Sequence, residues 1–376
     1  MNRNKLFLLF TLSISLFLGA CTGSSPFLYS GITSSKTCTK QGGYWYNEKC
    51  WRNYEDASID KADIDKLVEK QIELAQNTMI TIGQQSYPLK MMMPMPQGKS
   101  YIFLTMFEDE KGTITIYQTV NKKELDRKGK AVSNALFIRG NLLELSDEDL
   151  TEERIKAISI GQGDLNIQFQ GADFEKIKVF GNYTEIGSSA IKSLNYTATE
   201  DFGSMGNSKM EVKGNEVYIN GDLGTRSYYQ LKSILQEHPN LKTVVLGNIS
   251  GSVNDAVNMH TGRILREAGL NTKVLSDSKI ASGAVDLFCA GVERIVEKGA
   301  QLGIHSWCCI GDLTAIEIPK EHPAHQHQIE YFTMCMGSRN GPAFYFHTLE
   351  AAPFDGVHWM TEQEMKKWKV ATYFLE

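Results

Sequence analysis

Apolar and polar positions fall into four regimes along the chain. Arg3 and Lys5 make a short positive head, and the unbroken apolar run LFLLFTLSISLFL follows. That run is too short and too early for a comfortable membrane span. In IDKADIDKLVEKQIELAQ, residues 59–76, Ile64, Leu67, Val68, Ile72 and Ala75 share one helical face with charges between them, which predicts an amphipathic helix. From Thr78 to about Ile186 the pattern turns to short β-branched or aromatic runs. TMITI, YIFLTMF, TITIYQTV, NALFIRG, LNIQFQG and IKVFGNYTEI are separated by charged or glycine-bearing turns. A small β-rich domain is expected there. LKMMMPMP, Leu89 to Pro96, reads as an edge strand or loop interrupted by Pro94 and Pro96 rather than as a thioether copper site. NYTATEDFGSMGNSK, Asn195 to Lys209, lacks periodicity and reads as a linker.

From Glu216 strand and helix patterns alternate. EVYING is a strand, TRSYYQLKSILQEH a helix, KTVVLGN an apolar strand and SVNDAVNMHTGRILREAG a helix. TKVLS is a strand, SGAVDLFCAGVERIV a helix and AQLGIHS a strand. Such alternation predicts βαβ units, hence an α/β domain with a largely parallel sheet. Active sites in such sheets lie at the carboxyl ends of strands. Three loops fall at those ends. LGNISGSV carries Gly247 and Gly251 into a helix N-terminus, where free backbone N–H groups suit an anion or a developing oxyanion. KIASGAV places Ser282 at a strand-to-helix turn, either as a helix N-cap or as a nucleophile. LGIHSW places His305 at a strand end, and imidazole is the side chain whose ordinary pKa suits a general base near neutrality.

The apolar run of the first twenty residues ends in LGAC, Leu18 to Cys21, with polar TGSS after it. This resembles the lipobox of a bacterial lipoprotein signal peptide. The resemblance implies cleavage before Cys21, acylation of that cysteine, and a mature chain anchored by lipid in the cell envelope and exposed to the periplasm. Loss of Arg3 and Lys5 takes the net charge from −5 to −7, which argues against a nucleic-acid partner. Export favours disulfides. Cys38 and Cys50 bracket a Gly-Gly turn with aromatics and read as a small disulfide loop. A bond from Cys308 or Cys309 to Cys335 stays open. The roughly 355 mature residues suggest two domains and a tether. The expected divisions are a signal peptide at 1–20, a tether with the disulfide loop at 21–58, helix plus β-rich domain at 59–200, and the α/β domain at 211–376. Residues 22 to 37, rich in Ser, Thr and Gly, are expected to be mobile.

The ordered stretches VYINGDL, YYQLKSILQE, KTVVLGNISGSV, KIASGAV and LGIHSW resemble the ClpP/crotonase fold, and within it periplasmic ClpP-like serine peptidases. The resemblance covers about residues 211 to 376. It implies Ser282 as nucleophile, His305 as base, and Gly251 and Gly283 as the two oxyanion donors. ClpP-like loops usually read Asn-Ser-Pro-Gly-Gly; here Ser250 stands at the proline and Ser252 at the second glycine. The third triad member implied is Asp355, in FDGVHWMTEQEMKKWKVAT, with Asp312 or no acid at all as alternatives. Asp286, one turn after Ser282, is either a site residue or a favourable charge at a helix start. The resemblance implies peptide hydrolysis on a peptide or protein substrate, no metal or nucleotide cofactor, and assembly into a homo-oligomer. ClpP works with a cytoplasmic ATPase, so export implies ATP-independent action. The alternative is a non-catalytic envelope lipoprotein that keeps the fold as a binding module. An acyl-CoA enzyme fits poorly with export.

Lys279, three residues before Ser282, reads as a solvated lysine rather than a catalytic base. EHPAHQH supplies His322, His325 and His327, which read as a solvated, proline-punctuated segment rather than a metal site. The chain contains no HExxH, Walker A or GxGxxG motif.

Overall fold

The computed structural model describes residues 28, 31–52, 63–97, 99–140, 142, 152–170, 176–310 and 313–376. The signal segment 1–20, Cys21 and Asp312 lie outside the described residues. Two separate apolar cores mark two domains.

The first core fills a barrel. Its strands are Met79–Ile82 (β1), Gln85–Gln97 (β2), Ser100–Asp109 (β3), Gly112–Asn121 (β4), Lys130–Arg139 (β5), Ser159–Gln170 (β6), Lys176–Glu185 (β7) and Ile191–Thr199 (β8). Each pairs antiparallel with the next, and β8 returns to β1 with Leu194 opposite Ile82, closing the sheet. Closure leaves no sheet edge. Along β3, Phe103 and Phe107 join the core, while Ile102 and Leu104 pack outside with Leu142 and Ile155. Both faces of β3 are covered, so its sequence reads as a continuous apolar run. β6 and β7 cross tightly at two glycines. A Cβ on Gly163 would lie 1.9 Å from the Asn182 carbonyl oxygen, and one on Gly181 2.1 Å from that of Asp164.

The stretch expected to be a linker is ordered. Residues 195–199 belong to β8, and Phe202 and Met205 beyond it are buried. Leu194, Tyr196 and Ala198 supply the alternation that buries one face of a strand whose other residues are polar. LKMMMPMP lies within β2, where residues 91–97 pair with β3; β1 pairs only as far as Pro88. Prolines that cannot donate are tolerated on such a one-sided stretch.

The second core lies under two sheets. Lys209–Lys213 (β9), Glu216–Asn220 (β10), Thr243–Leu246 (β11), Asn271–Val274 (β12), Arg294–Glu297 (β14) and Tyr373–Leu375 (β17) form one sheet in the order β9-β10-β11-β12-β14-β17. It is parallel except for the β9–β10 hairpin. Lys279–Ala281 (β13), Gln301–Ile304 (β15) and His358–Trp359 (β16) form a second sheet in the order β13-β15-β16, with β13 and β15 parallel. Helices Thr225–Glu237 (α2), Asp255–Glu267 (α3), Gly283–Cys289 (α4), Gln326–Met336 (α5) and Asn340–Ala351 (α6) cover them. The helix expected through residue 296 ends at Cys289, and Arg294 to Glu297 is a strand instead. Gly291 allows the break: a Cβ there would lie 2.2 Å from Thr272 Oγ1.

The helix Ile64–Asn77 (α1) joins the domains. Its Ile64 and Val68 pack against Tyr228 and Val257 of the second domain, and Tyr228 donates to Asp65 at 2.9 Å. The mobile stretch expected up to residue 37 ends early, because Ser34 caps a helical turn, Ser35–Lys40, that carries Cys38. Cys38 is bonded to Cys50, with Cα atoms 5.4 Å apart. This loop rests on the second domain: Trp51 meets His322 edge-on at 4.7 Å, and Lys49 pairs with Glu321 at 2.9 Å. His322 is therefore buried, His325 is buried among Trp307, Tyr345 and Phe346, and neither is solvated as expected; burial pushes both imidazoles down to about 4. His325 is held by Tyr345 Oη at 2.7 Å and the Ile318 carbonyl at 3.4 Å. Cys335 is a free, buried thiol, so the bond left open from Cys308 or Cys309 to Cys335 is absent, although Cys308 is oxidised.

Arg294 ties the chain's end to the sheet. Its buried guanidinium donates to the carbonyls of Val370 at 2.7 Å, Lys369 at 3.2 Å and Gly291 at 3.2 Å. Arg266 also donates to Gly291 at 2.8 Å, so loss of Arg294 strands two carbonyls rather than three. Each stranded group costs about 1–3 kcal/mol. Arg294→Met, which preserves volume, is expected to lower the free energy of unfolding by about 2–6 kcal/mol in denaturant titration. A change below about 1 kcal/mol would show that water replaces the guanidinium at no cost.

Candidate active site

The register of the small sheet brings the expected residues to one place. β13 and β15 run parallel, with Ala281 opposite Gly303. Ser282 is the first residue past β13 and His305 the first past β15, so both leave the carboxyl ends of adjoining strands. Ser282 N–H donates to the Gly303 carbonyl at 3.0 Å, which fixes the turn. The glycine loop runs along the other side of β13: Ile249 N–H donates to Lys279, and Ala281 N–H returns the bond to Ile249, both at 3.0 Å. Gly251 thereby abuts Ser282. A Cβ on Gly251 would lie 3.1 Å from Ser282 Cβ and 3.5 Å from its Oγ.

Ser282 has φ 55° and ψ −131°, the corner of a type II′ turn that glycine ordinarily takes. It occupies the N-cap position of α4, yet its hydroxyl makes no capping bond. Nor does a hydrogen bond join Ser282 Oγ to His305 among the described residues. The N–H groups of Gly251 and Gly283 likewise have no acceptor among the described residues. Two free donors flank a free hydroxyl. Gly283 is closely held: its carbonyl accepts from Asn258 Nδ2 at 2.7 Å, and a Cβ on it would lie 2.5 Å from Ser252 Cβ. Ser252 Oγ accepts from Asn254 N–H at 3.1 Å, at the start of α3.

His305 is half-buried, and its Nδ1 lies 2.7 Å from the Ser306 carbonyl. A carbonyl only accepts, so in the neutral ring Nδ1 carries the proton and Nε2 presents its lone pair. That is the tautomer a general base requires. Burial pushes the imidazole below its ordinary value, and the Ser306 carbonyl offsets part of this.

Asp355, implied by resemblance as the orienting acid, is not brought to His305. It is exposed, in a turn closed by Gly356 N–H to Pro353 at 2.9 Å, and makes no hydrogen bond or ion pair among the described residues. The Ser306 carbonyl occupies Nδ1 instead. Asp355→Asn is therefore expected to change the rate of any reaction at Ser282 by less than about threefold, against the ~10⁴-fold that loss of a tautomer-fixing acid costs. A loss above a hundredfold would show that Asp355 swings onto His305 in the working state. Asp286 lies in the first turn of α4. Burial, with the charge of Asp255 adding to it, pushes its carboxyl well up. Asp255 is exposed at the surface of its side chain, while neighbouring protein atoms crowd its carboxyl and push it up to about 6. The Lys279 side chain is exposed, as expected.

No pattern along the chain singles out Asp222, Asn258 or the Ser306 carbonyl. Asp222 follows β10, is buried, and accepts a hydrogen bond from Ser250 Oγ; burial pushes its carboxyl up to about 6. Its only sequence signal is an acid placed just past a strand, at the end where sites form.

No protein-family model and no curated protein matches the chain. Solved structures similar to it include an enoyl-CoA hydratase from Bacillus anthracis, at 13% identity over 45% of this chain and 70% of that one, with a TM-score of 0.30. A carnitinyl-CoA hydratase from Mycobacterium avium shows 13% identity over 45% and 68%, with a TM-score of 0.29. A membrane-bound stomatin-specific protease shows 15% identity over 44% and 81%, with a TM-score of 0.31. Hydratases and a protease are thus among the solved structures to which this chain bears a distant likeness.

Proposed function

We propose that this chain is an exported, lipid-anchored serine hydrolase that cleaves peptide bonds without ATP, using a ClpP-like domain. One observation carries the reading: an unbonded serine hydroxyl on a strained corner, flanked by two unpaired backbone N–H groups, at the strand end next to a histidine of the basic tautomer. Ser282 Oγ attacks the acyl carbon while His305 Nε2 takes its proton. The N–H groups of Gly251 and Gly283 hold the developing oxyanion. His305 then protonates the leaving amine, and water repeats the sequence on the acyl-enzyme. The Ser306 carbonyl does the orienting that an acid does elsewhere, so the site works as a dyad. Cys21 supplies the anchor, and the peptide substrate is drawn from the envelope.

The test is a fluorophosphonate probe on the full chain, which phosphonylates an activated serine without needing the natural substrate. Stoichiometric labelling of Ser282 is the expected result. A well-folded chain that takes no label favours the second reading, a binding module on the same fold. The missing hydrogen bond between Ser282 and His305 is the observation on that side.

A further inference from the structure

The loop that carries Gly251 is pinned on both sides of one gap. Asn248 N–H donates to Asn220 Oδ1 at 3.0 Å, and the Asn248 carbonyl accepts from Gly221 at 3.0 Å. Ile249 exchanges bonds with β13, the Gly251 carbonyl accepts from Leu223 at 2.9 Å, and Val253 N–H donates to Leu223 at 2.8 Å. Neither the N–H nor the carbonyl of Ser250 has a backbone partner among the described residues, and the Gly251 N–H has none either. The peptide unit joining Ser250 to Gly251 is thus free at both its polar groups. It also carries the N–H of Gly251, the residue that abuts Ser282. A glycine on its far side makes rotation of that peptide cheap, and rotation would swing the N–H out and the carbonyl in. The single tether on this unit is a side chain: Ser250 Oγ donates to Asp222. Asp222 is buried, and its own N–H is fixed by Asn207 Oδ1 at 2.5 Å.

We infer that Asp222 is a positioning residue: through Ser250 it holds the Ser250–Gly251 peptide with its N–H toward Ser282, keeping the oxyanion site open. Asp222 touches no reacting atom and acts only through Ser250. The inference rests on the hydrolase reading for its catalytic meaning, but the tether itself is independent of it. The hydrogen bond does by side chain what a rigid residue at position 250 would do by backbone restriction.

Kinetics of fluorophosphonate labelling on the full chain separate this from a structural role. Ser250→Ala and Asp222→Ala are expected to lower kinact about tenfold or more, since one oxyanion donor is worth about 10²–10³ in rate, with KI changed less than about twofold. Asp222→Asn, whose amide oxygen still accepts from Ser250, is expected to keep kinact near the wild-type value. Unchanged labelling in Ser250→Ala, or an equal loss in Asp222→Asn, overturns the inference. A wild-type chain that takes no label tells against the hydrolase reading alone. Hydrogen exchange over residues 248–253 then decides the tether. Faster exchange in Ser250→Ala than in wild type and Asp222→Asn upholds it, and identical exchange in all three overturns it.

Discussion

Ser282→Ala is expected to abolish fluorophosphonate labelling and any acyl-hydrolase activity, a loss of about 10⁴-fold or more, while thermal stability stays within about 0.5 kcal/mol of wild type. The second half of that expectation makes the first informative. A serine that caps a helix costs about 1 kcal/mol when truncated to alanine. Ser282 makes no such bond, so its hydroxyl has nothing to lose in the folded state. Its backbone sharpens the contrast. At φ 55° and ψ −131° a side chain is strained by about 1–3 kcal/mol, a strain glycine escapes. Ser282→Gly is therefore expected to be as inactive as the alanine variant and more stable than wild type by about 1 kcal/mol, read as a rise in denaturation midpoint. Gain of stability with loss of reaction marks a residue retained for chemistry. Labelling that survives in Ser282→Ala, with about 1 kcal/mol of stability gone, would return Ser282 to the role of a helix cap.

What was legible in the sequence is what short-range pattern controls. Gly251, Ser282 and His305 were each placed by a strand that ends in a loop or a helix start, and the parallel register does bring the three strand ends together. The β-rich domain was legible from its alternating runs, but its closure was not. Closure depends on β8, whose polar residues hid a buried face of Leu194, Tyr196 and Ala198, and on a crossing of Gly163 and Gly181 that no local pattern announces. Long-range contacts account for the other failures. His322 looked solvated because the covering residue, Trp51, sits far away in the disulfide loop. Likeness of a neighbouring segment points to Asp355, and likeness along the chain does not say which way a turn faces. The Asp222–Ser250 bond was hidden for the same reason: two small polar residues on different loops carry no joint signature until the backbone brings them together.

His305→Ala is expected to reduce labelling about as severely as Ser282→Ala, by about 10⁴-fold or more, and the double variant to be no worse than either single one. Groups that act as a unit fail as a unit: without the base the hydroxyl keeps its proton, and without the hydroxyl the base has nothing to take. The pH profile supplies the independent check. The reaction needs neutral His305, and burial holds its folded pKa below the ordinary value of 6.5. The labelling rate is therefore expected to fall on the acid side with its half-point below 6.5 and to level off on the alkaline side of that half-point. A half-point above 6.5 would mean that a carboxylate, not the Ser306 carbonyl, faces the ring in the working state. Stability must be measured separately, because it moves in the same direction for a different reason. Where the folded pKa of a histidine is depressed, the unfolded chain binds more protons as pH falls. Stability is then fully present above 6.5 and is lost as pH falls toward the folded pKa. His322 and His325, pushed down to about 4, extend that loss over the whole window from 6.5 to about 4. His305→Gln is expected to lose the reaction at every pH yet retain most of this acid instability, since His322 and His325 remain. A His305→Gln variant that lost its acid instability along with its labelling would place the titration in the fold rather than in the reaction, and the dyad would fall with it.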